Sequence, residues 1–169
     1  ELAVEQACEG LPTPEVSLNR AGMFTIYGPE GDNGLSGKKL VVDGYGPGVP
    51  IGGGAWSGKD LHKVDRVGGL LARQLAKGII MKGVAQEALV ELEYHPGDLE
   101  PSGIQVRLDG KAYQKDIDSL LPNLELRTQW VVKDYNHRKL GLTSLARWGH
   151  QQSGMPWEEL YPPLGKCPS

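Results

Sequence analysis

Between Asp60 and Lys82 the apolar residues Leu61, Val64, Val67, Leu71, Leu75 and Ile79 recur at intervals of three and four. That spacing lines one face of a helix, so the run predicts an amphipathic helix over 60–82 whose apolar stripe must be covered by a sheet or by other helices. Gly83 follows directly and suits the left-handed residue that ends many helices. The flanking segments supply candidate sheet. Ala88–Tyr94 (ALVELEY) and Ile104–Leu108 (IQVRL) alternate as half-buried strands do, and Pro96, Gly97 and Pro101 between them mark a turn, which predicts an antiparallel pair. Strands are also predicted over Met23–Tyr27 (MFTIY), closed by Gly28-Pro29, and over Lys39–Tyr45 (KLVVDGY). A second helix is predicted over Tyr113–Leu121, and the remainder, through Trp130, Trp148 and Trp157, reads as helix and extended tail with the tryptophans as core or interface anchors. Strands followed by helices with short antiparallel links point to an α+β fold, a mixed or antiparallel sheet with helices on one face. A length of 169 residues accommodates one domain.

The formal net charge of −3 supplies no global positive field, which argues against nucleic acid as a partner and leaves any anion binding to local clusters of Lys and Arg. Cys8 and Cys167 form neither a CxxC pair nor a disulfide framework, which suits a reducing cytoplasm. No apolar run approaches the ~18 residues of a membrane span, and the N-terminus carries no signal-peptide pattern.

The stretch GGGAWSGKDLHKVDR (Gly52–Arg66) is a glycine-rich loop running into the start of the predicted helix. Glycines let backbone N–H groups curl around an anion, and a helix start adds free N–H donors, so phosphate is the natural ligand. Lys59 and Lys63, four residues apart, are expected on one face of the first helical turn, and Asp60 and Asp65 are carboxylates able to hold Mg²⁺ against a polyphosphate. A surface loop ahead of a solvated helix start remains the plain alternative. Gly53–Lys59 also satisfies GxxxxGK, but Asp60 stands where a P-loop needs Ser or Thr for Mg²⁺, and the loop does not follow its strand immediately. A second glycine-rich turn, GPEGDNGLSGKK (Gly28–Lys39), presents Asp32, Lys38 and Lys39; taken alone it fits a hairpin with solvated lysines. His62 and His137 have no metal-spaced partners and read as surface residues.

Taken together, GPEGDNGLSGKKLVVDGYG and GGGAWSGKDLHKVDR resemble the signature region of the methionine adenosyltransferases (S-adenosylmethionine synthetases), GPxGDxGLTGRK followed by IVDTYGG and GGGAFSGKDxxKVDR, with the family's spacing between the blocks. LARWGHQQSGMPWE (Leu145–Glu158) is similar to the family's YGHFGR…PWE close. The resemblance covers the C-terminal half of such an enzyme. It implies residues 1–27 as a lead-in and strand belonging to the family's central domain, and 28–169 as the C-terminal domain. It further implies S-adenosylmethionine formation from ATP and L-methionine, in which the sulfur attacks the ribose C5′ and the triphosphate leaves. Carried over position by position, Lys38, Lys39, Lys59 and Lys63 are the catalytic cations. Phe24, Asp32, Lys38, Lys39, Ala55 and Lys59 bind ATP or its phosphates, Asp32 and Lys63 border methionine, and Asp65 is a Mg²⁺ ligand. Mg²⁺ and K⁺ are the implied cofactors, K⁺ being held by a partner chain.

Four positions depart from the family pattern: Lys38 for Arg, Ile51 for His, Met23 for Arg and Trp56 for Phe. A Lys in place of Arg exchanges a planar two-pronged donor for a point charge. The family's N-terminal half is not represented in the sequence. One reading is therefore a subunit of a split, heteromeric enzyme, two copies of each chain, completed by a polypeptide carrying the N-terminal half. Another is a catalytically silent phosphate- or nucleotide-binding regulatory subunit. A third is a fragment of a longer enzyme.

Overall fold

The computed structural model describes residues 2–12, 22–23, 25–31, 44–122, 126–137, 141 and 143–159. The elements that lie wholly within the described residues include the helices α1 (Leu2–Ala7), α2 (Val64–Met81) and α3 (Thr128–His137) and the strands β1 (Ala88–Glu93), β2 (Gly103–Leu108) and β3 (Lys111–Ala112). The strands form one antiparallel sheet in the order β1-β2-β3. This is the α+β arrangement that the pattern of elements predicts.

The stripe on α2 is the centre of the core. Val67, Leu70, Leu71, Leu75 and Ile79 are fully buried, and each such side chain contributes about 1.5–3 kcal/mol of gross transfer free energy. The helix packs on β1, on α3 and on a turn at Pro156–Glu158. The paired rows Ala88↔Leu108, Val90↔Val106 and Leu92↔Ile104 belong to the sheet's contribution to the core. Gln74 lies in the middle of α2 with both ends of its amide satisfied: Nε2 donates to the Pro156 carbonyl at 3.2 Å and Oε1 accepts from the Tyr135 hydroxyl at 2.9 Å. A buried amide so paired ties α2 to α3 and to the Pro156 turn without an unmet polar group.

Gly83 ends α2 as predicted. Its φ is +70°, its N–H reaches the Ile80 carbonyl, and the Val84 N–H reaches that of Ile79, the paired bonds of a Schellman motif. The helix begins four residues later than the stripe suggests. Residues 59–63 form turns instead, because the Asp60 carboxylate accepts the His62 N–H at 2.8 Å and so bends the chain locally. Lys63 is the residue flanking the helix, in an extended conformation. Tyr113–Leu121 is likewise not an α-helix: Ala112 is held in β3, and Asp116 caps a short 3₁₀ turn at Ile117–Ser119 by accepting the Asp118 N–H. The described residues of Met23–Tyr27 form no strand, and Met23, Ile26 and Tyr27 are 86%, 56% and 73% exposed. A strand needs a neighbouring ladder, and among the described residues none lies beside this run. The turn at Gly28–Glu30 does form. Of the strand predicted over Lys39–Tyr45, residues 39–43 lie outside the described residues, and Gly44 and Tyr45 are helical.

The tryptophans divide. Trp56 and Trp157 are buried core anchors, whereas Trp148 is 49% exposed with a left-handed backbone; the Trp130 side chain lies outside the described set. Among the described residues no helix is long and apolar enough to cross a membrane.

Candidate functional site: the glycine loop and the start of the long helix

The loop from Gly46 to Lys63 is anchored from below by Trp56, which is 2% exposed. Its indole ring lies against Gly69 of α2, so closely that a Cβ at Gly69 would fall 2.6 Å from the ring. That glycine is a packing requirement, since no methyl group fits there. Gly54 and Gly58 take φ of +70° and +81°, conformations that other residues adopt only with strain. The indole also meets the His150 ring edge-on, with centroids 5.3 Å apart. The loop is thereby held at a fixed height above the first turn of α2.

At that height three groups converge. Lys59 Nζ lies 2.7 Å from Asp65 Oδ2, and the Gly53 N–H donates to Asp65 Oδ1 at 3.3 Å. Gly53 comes so near the carboxylate that a Cβ there would sit 2.5 Å from the Asp65 carboxyl carbon. A loop amide and an ammonium group therefore already cradle an anion, and that anion is a side chain of the protein. Ala55 is half-buried in the same loop, and Lys63 is exposed at the helix entrance. Because Lys59 precedes the helix, the two lysines do not share a helical face as their spacing suggests; the loop, not the helix, carries Lys59.

Behind the loop lies Arg66, 1% exposed. One terminal nitrogen donates to the Lys59 carbonyl and the other lies 2.8 Å from His150 Nε2. Its Nε has no hydrogen-bond partner among the described residues. Burial lowers its pKa, partly offset by the charge of Asp60. Burial also pushes the His150 imidazole down to about 4, and the Arg66 charge adds to this. The Trp157 indole N–H donates to the His150 carbonyl, which ties the same segment to the core.

A second cluster fixes the chain further along the same face of α2. Glu158, in the turn packed on α2, takes two bonds from Arg73 and one from Lys77, and Arg73 also donates to the Tyr45 hydroxyl. Burial alone would raise the Glu158 pKa, but the hydrogen bonds from Arg73 and Lys77 outweigh it and hold the carboxyl below the usual range.

Of the residues named from sequence, the structure brings Lys59, Asp65 and the loop containing Ala55 together and places Lys63 beside them. Phe24, Asp32, Lys38 and Lys39 lie outside the described residues. His62 is exposed, as predicted. The sequence reading missed the Arg66–His150 pair: the two are 84 residues apart. The only sequence signal for it is that each falls in a segment carrying the family resemblance, Arg66 in GGGAWSGKDLHKVDR and His150 in LARWGHQQSGMPWE.

Asp65 fits Mg²⁺ only as a single ligand. Its carboxylate is partly exposed, but it already accepts from Lys59 and Gly53, and among the described residues no three His, Cys, Asp or Glu side chains gather into a cage. A Mg²⁺ carried by phosphate oxygens needs no more than one or two protein carboxylates.

Fold and site thus define an α+β domain with an anion-cradling glycine loop at a helix start. The chain belongs to the S-adenosylmethionine synthetase family: the model of that family's C-terminal domain matches residues 26–159. The S-adenosylmethionine synthase of Deinococcus radiodurans is 39% identical over 146 residues, which are 84% of this chain and 36% of that protein. The S-adenosylmethionine synthase of Thermus thermophilus is 39% identical over 157 residues, 86% of this chain and 38% of that protein. Among solved structures, an unusual S-adenosylmethionine synthetase from Campylobacter jejuni superposes with a TM-score of 0.61 at 35% identity, over 73% of this chain and 35% of that one. The chain spans a little over a third of the length of these relatives.

Proposed function

We propose that this chain supplies the polyphosphate-binding part of a methionine adenosyltransferase active site, and that a separate polypeptide carrying the family's N-terminal half completes it. The observation that carries the reading is the convergence of the Gly53 N–H and the Lys59 ammonium on one carboxylate. Donors fixed around an anion before a ligand arrives need no reorganisation when charge develops on a leaving triphosphate, which is how electrostatic preorganisation lowers a barrier. In this reading Lys59 turns from Asp65 to the phosphates, Lys63 adds a second cation from the helix entrance and borders methionine, and Lys38 and Lys39 join them. Phe24, Asp32 and Ala55 line the nucleotide or methionine. Mg²⁺, when bound, neutralises phosphate charge, and Asp65, released by Lys59, offers it one carboxylate. K⁺ falls to the partner chain.

The exposed apolar side chains of Met23 and Ile26, 86% and 56% exposed, support a partner, since a neighbouring polypeptide would cover them. Two copies of each chain is the assembly proposed. Incubation with ATP, L-methionine, Mg²⁺ and K⁺ tests the proposal. S-adenosylmethionine should form with the complex of this chain and an N-terminal-half polypeptide, and not with either alone. Product from the isolated chain would refute partner dependence. A complex that binds tripolyphosphate but makes no product would favour a silent regulatory subunit, a reading supported by Lys38 and Ile51, which depart from the family pattern.

A further inference from the structure

Arg66 is a cation with donors only, so the nitrogen it meets must be an acceptor. His150 Nε2 is therefore unprotonated and the ring proton sits on Nδ1, which fixes the tautomer. The ring has little freedom to turn away, being met edge-on by Trp56 and stacked at 6.2 Å on Trp157. From that seat it holds one arm of the guanidinium while the other arm grips the Lys59 carbonyl. No acidic side chain hydrogen-bonds Arg66 among the described residues, so the arginine is not one half of an ordinary buried ion pair. An apolar residue would cost less at a site 1% exposed, unless the guanidinium serves the loop.

We infer that His150 and Arg66 are positioning residues for Lys59: His150 Nε2 orients the guanidinium, which latches the loop backbone at Lys59 and so aims its ammonium group at the bound anion. The inference rests on the polyphosphate reading above and adds to it two residues that need touch no substrate. It also explains why the loop is tethered to a segment 84 residues away in the sequence. Lys59 has a long flexible side chain, and only a fixed main chain makes its reach definite.

The test uses the full chain, in complex with its partner polypeptide where one is required, and two readouts: tripolyphosphate affinity by calorimetry, and amide hydrogen exchange at residues 57–60 without ligand. His150→Leu fills the site but cannot accept a hydrogen bond, whereas His150→Gln carries an amide oxygen near the position of Nε2. His150→Leu should weaken tripolyphosphate binding by about tenfold and speed exchange in the loop, the scale expected for losing one hydrogen bond to a charged group. His150→Gln should restore both to within about threefold, which a purely space-filling role would not produce. Arg66→Met, apolar and of similar length, should fold and reproduce the His150→Leu phenotype. Wild-type affinity and loop exchange in His150→Leu and Arg66→Met would overturn the latch while leaving the polyphosphate site standing. A wild-type protein that binds no tripolyphosphate would refute the polyphosphate reading, and the positioning role with it.

Discussion

The helix–hairpin side of the molecule and the loop side are built differently. Around α2 the chain buries most of its own apolar surface: Leu70, Leu71, Leu75, Tyr135 and Trp157 are sealed from solvent by residues of the same polypeptide, and only Val64 and Met81 at the two ends of the helix stay exposed among its large apolar residues. Before the long helix, Met23, Ile26 and Tyr27 stand open, and Lys59 turns inward to a carboxylate of its own chain. The first region owes its form to hydrophobic burial, which one chain can complete. The second carries apolar side chains that stay exposed and a lysine held by a carboxylate of its own chain.

Breaking the self-sufficient side should cost most. Trp157 is fully buried against Tyr135 and His150, so Trp157→Ala should destabilise by about 3–5 kcal/mol, read from denaturant midpoints. Next comes pH. The folded-state pKa of His150 lies near 4, below its ordinary 6.5, so the unfolded chain binds the proton first. Its contribution is fully present above pH 6.5 and falls away as pH drops toward 4, by up to roughly 3 kcal/mol. Glu158 is depressed from its ordinary value, so its contribution is present above pH 4.5 and is lost as pH falls through its lower folded value. Melts between pH 7.5 and 4 should show a declining midpoint, and His150→Leu should flatten the upper part of that decline. Glu158→Gln should cost about 2 kcal/mol, because a side chain only 6% exposed stops balancing Arg73 and Lys77, themselves 20% and 33% exposed. On the open side, Ile26→Ser should change the stability of the isolated chain by less than about 0.5 kcal/mol. The same substitution should weaken association with the partner polypeptide, which sharpens the contrast between the two regions.

The same division decides what the sequence discloses. The α2 stripe and the β1–β2 alternation are local patterns that burial enforces, and both are legible in the residues, except that Val64, counted in the stripe, is 37% exposed at the helix start. Gly83 is legible for the same reason, as its left-handed backbone closes the helix. The start of α2 is not, because Asp60 takes the His62 amide and turns outcompete the helix there. The β2–β3 hairpin is not among the predicted strands, although it turns on Asp109-Gly110, a strong turn signal with both residues at positive φ. Composition predicts a strand at Met23–Tyr27, but strand propensity expresses a fit to neighbouring strands rather than a property of the segment alone. At the site, the glycines and Lys59 are visible in one stretch of sequence. The Lys59–Asp65 pair and the His150–Arg66 contact arise only from loop closure and tertiary packing.

The claim at the centre is that the Gly53–Lys59 cradle exchanges its internal carboxylate for polyphosphate, and calorimetric titration of tripolyphosphate into wild-type protein and Lys59→Met tests it most directly. A charge-assisted contact of about 1.5–3 kcal/mol predicts a loss of affinity of roughly 10- to 150-fold in the variant. Unchanged affinity in Lys59→Met, with the fold intact, would place the anion elsewhere and contradict the account.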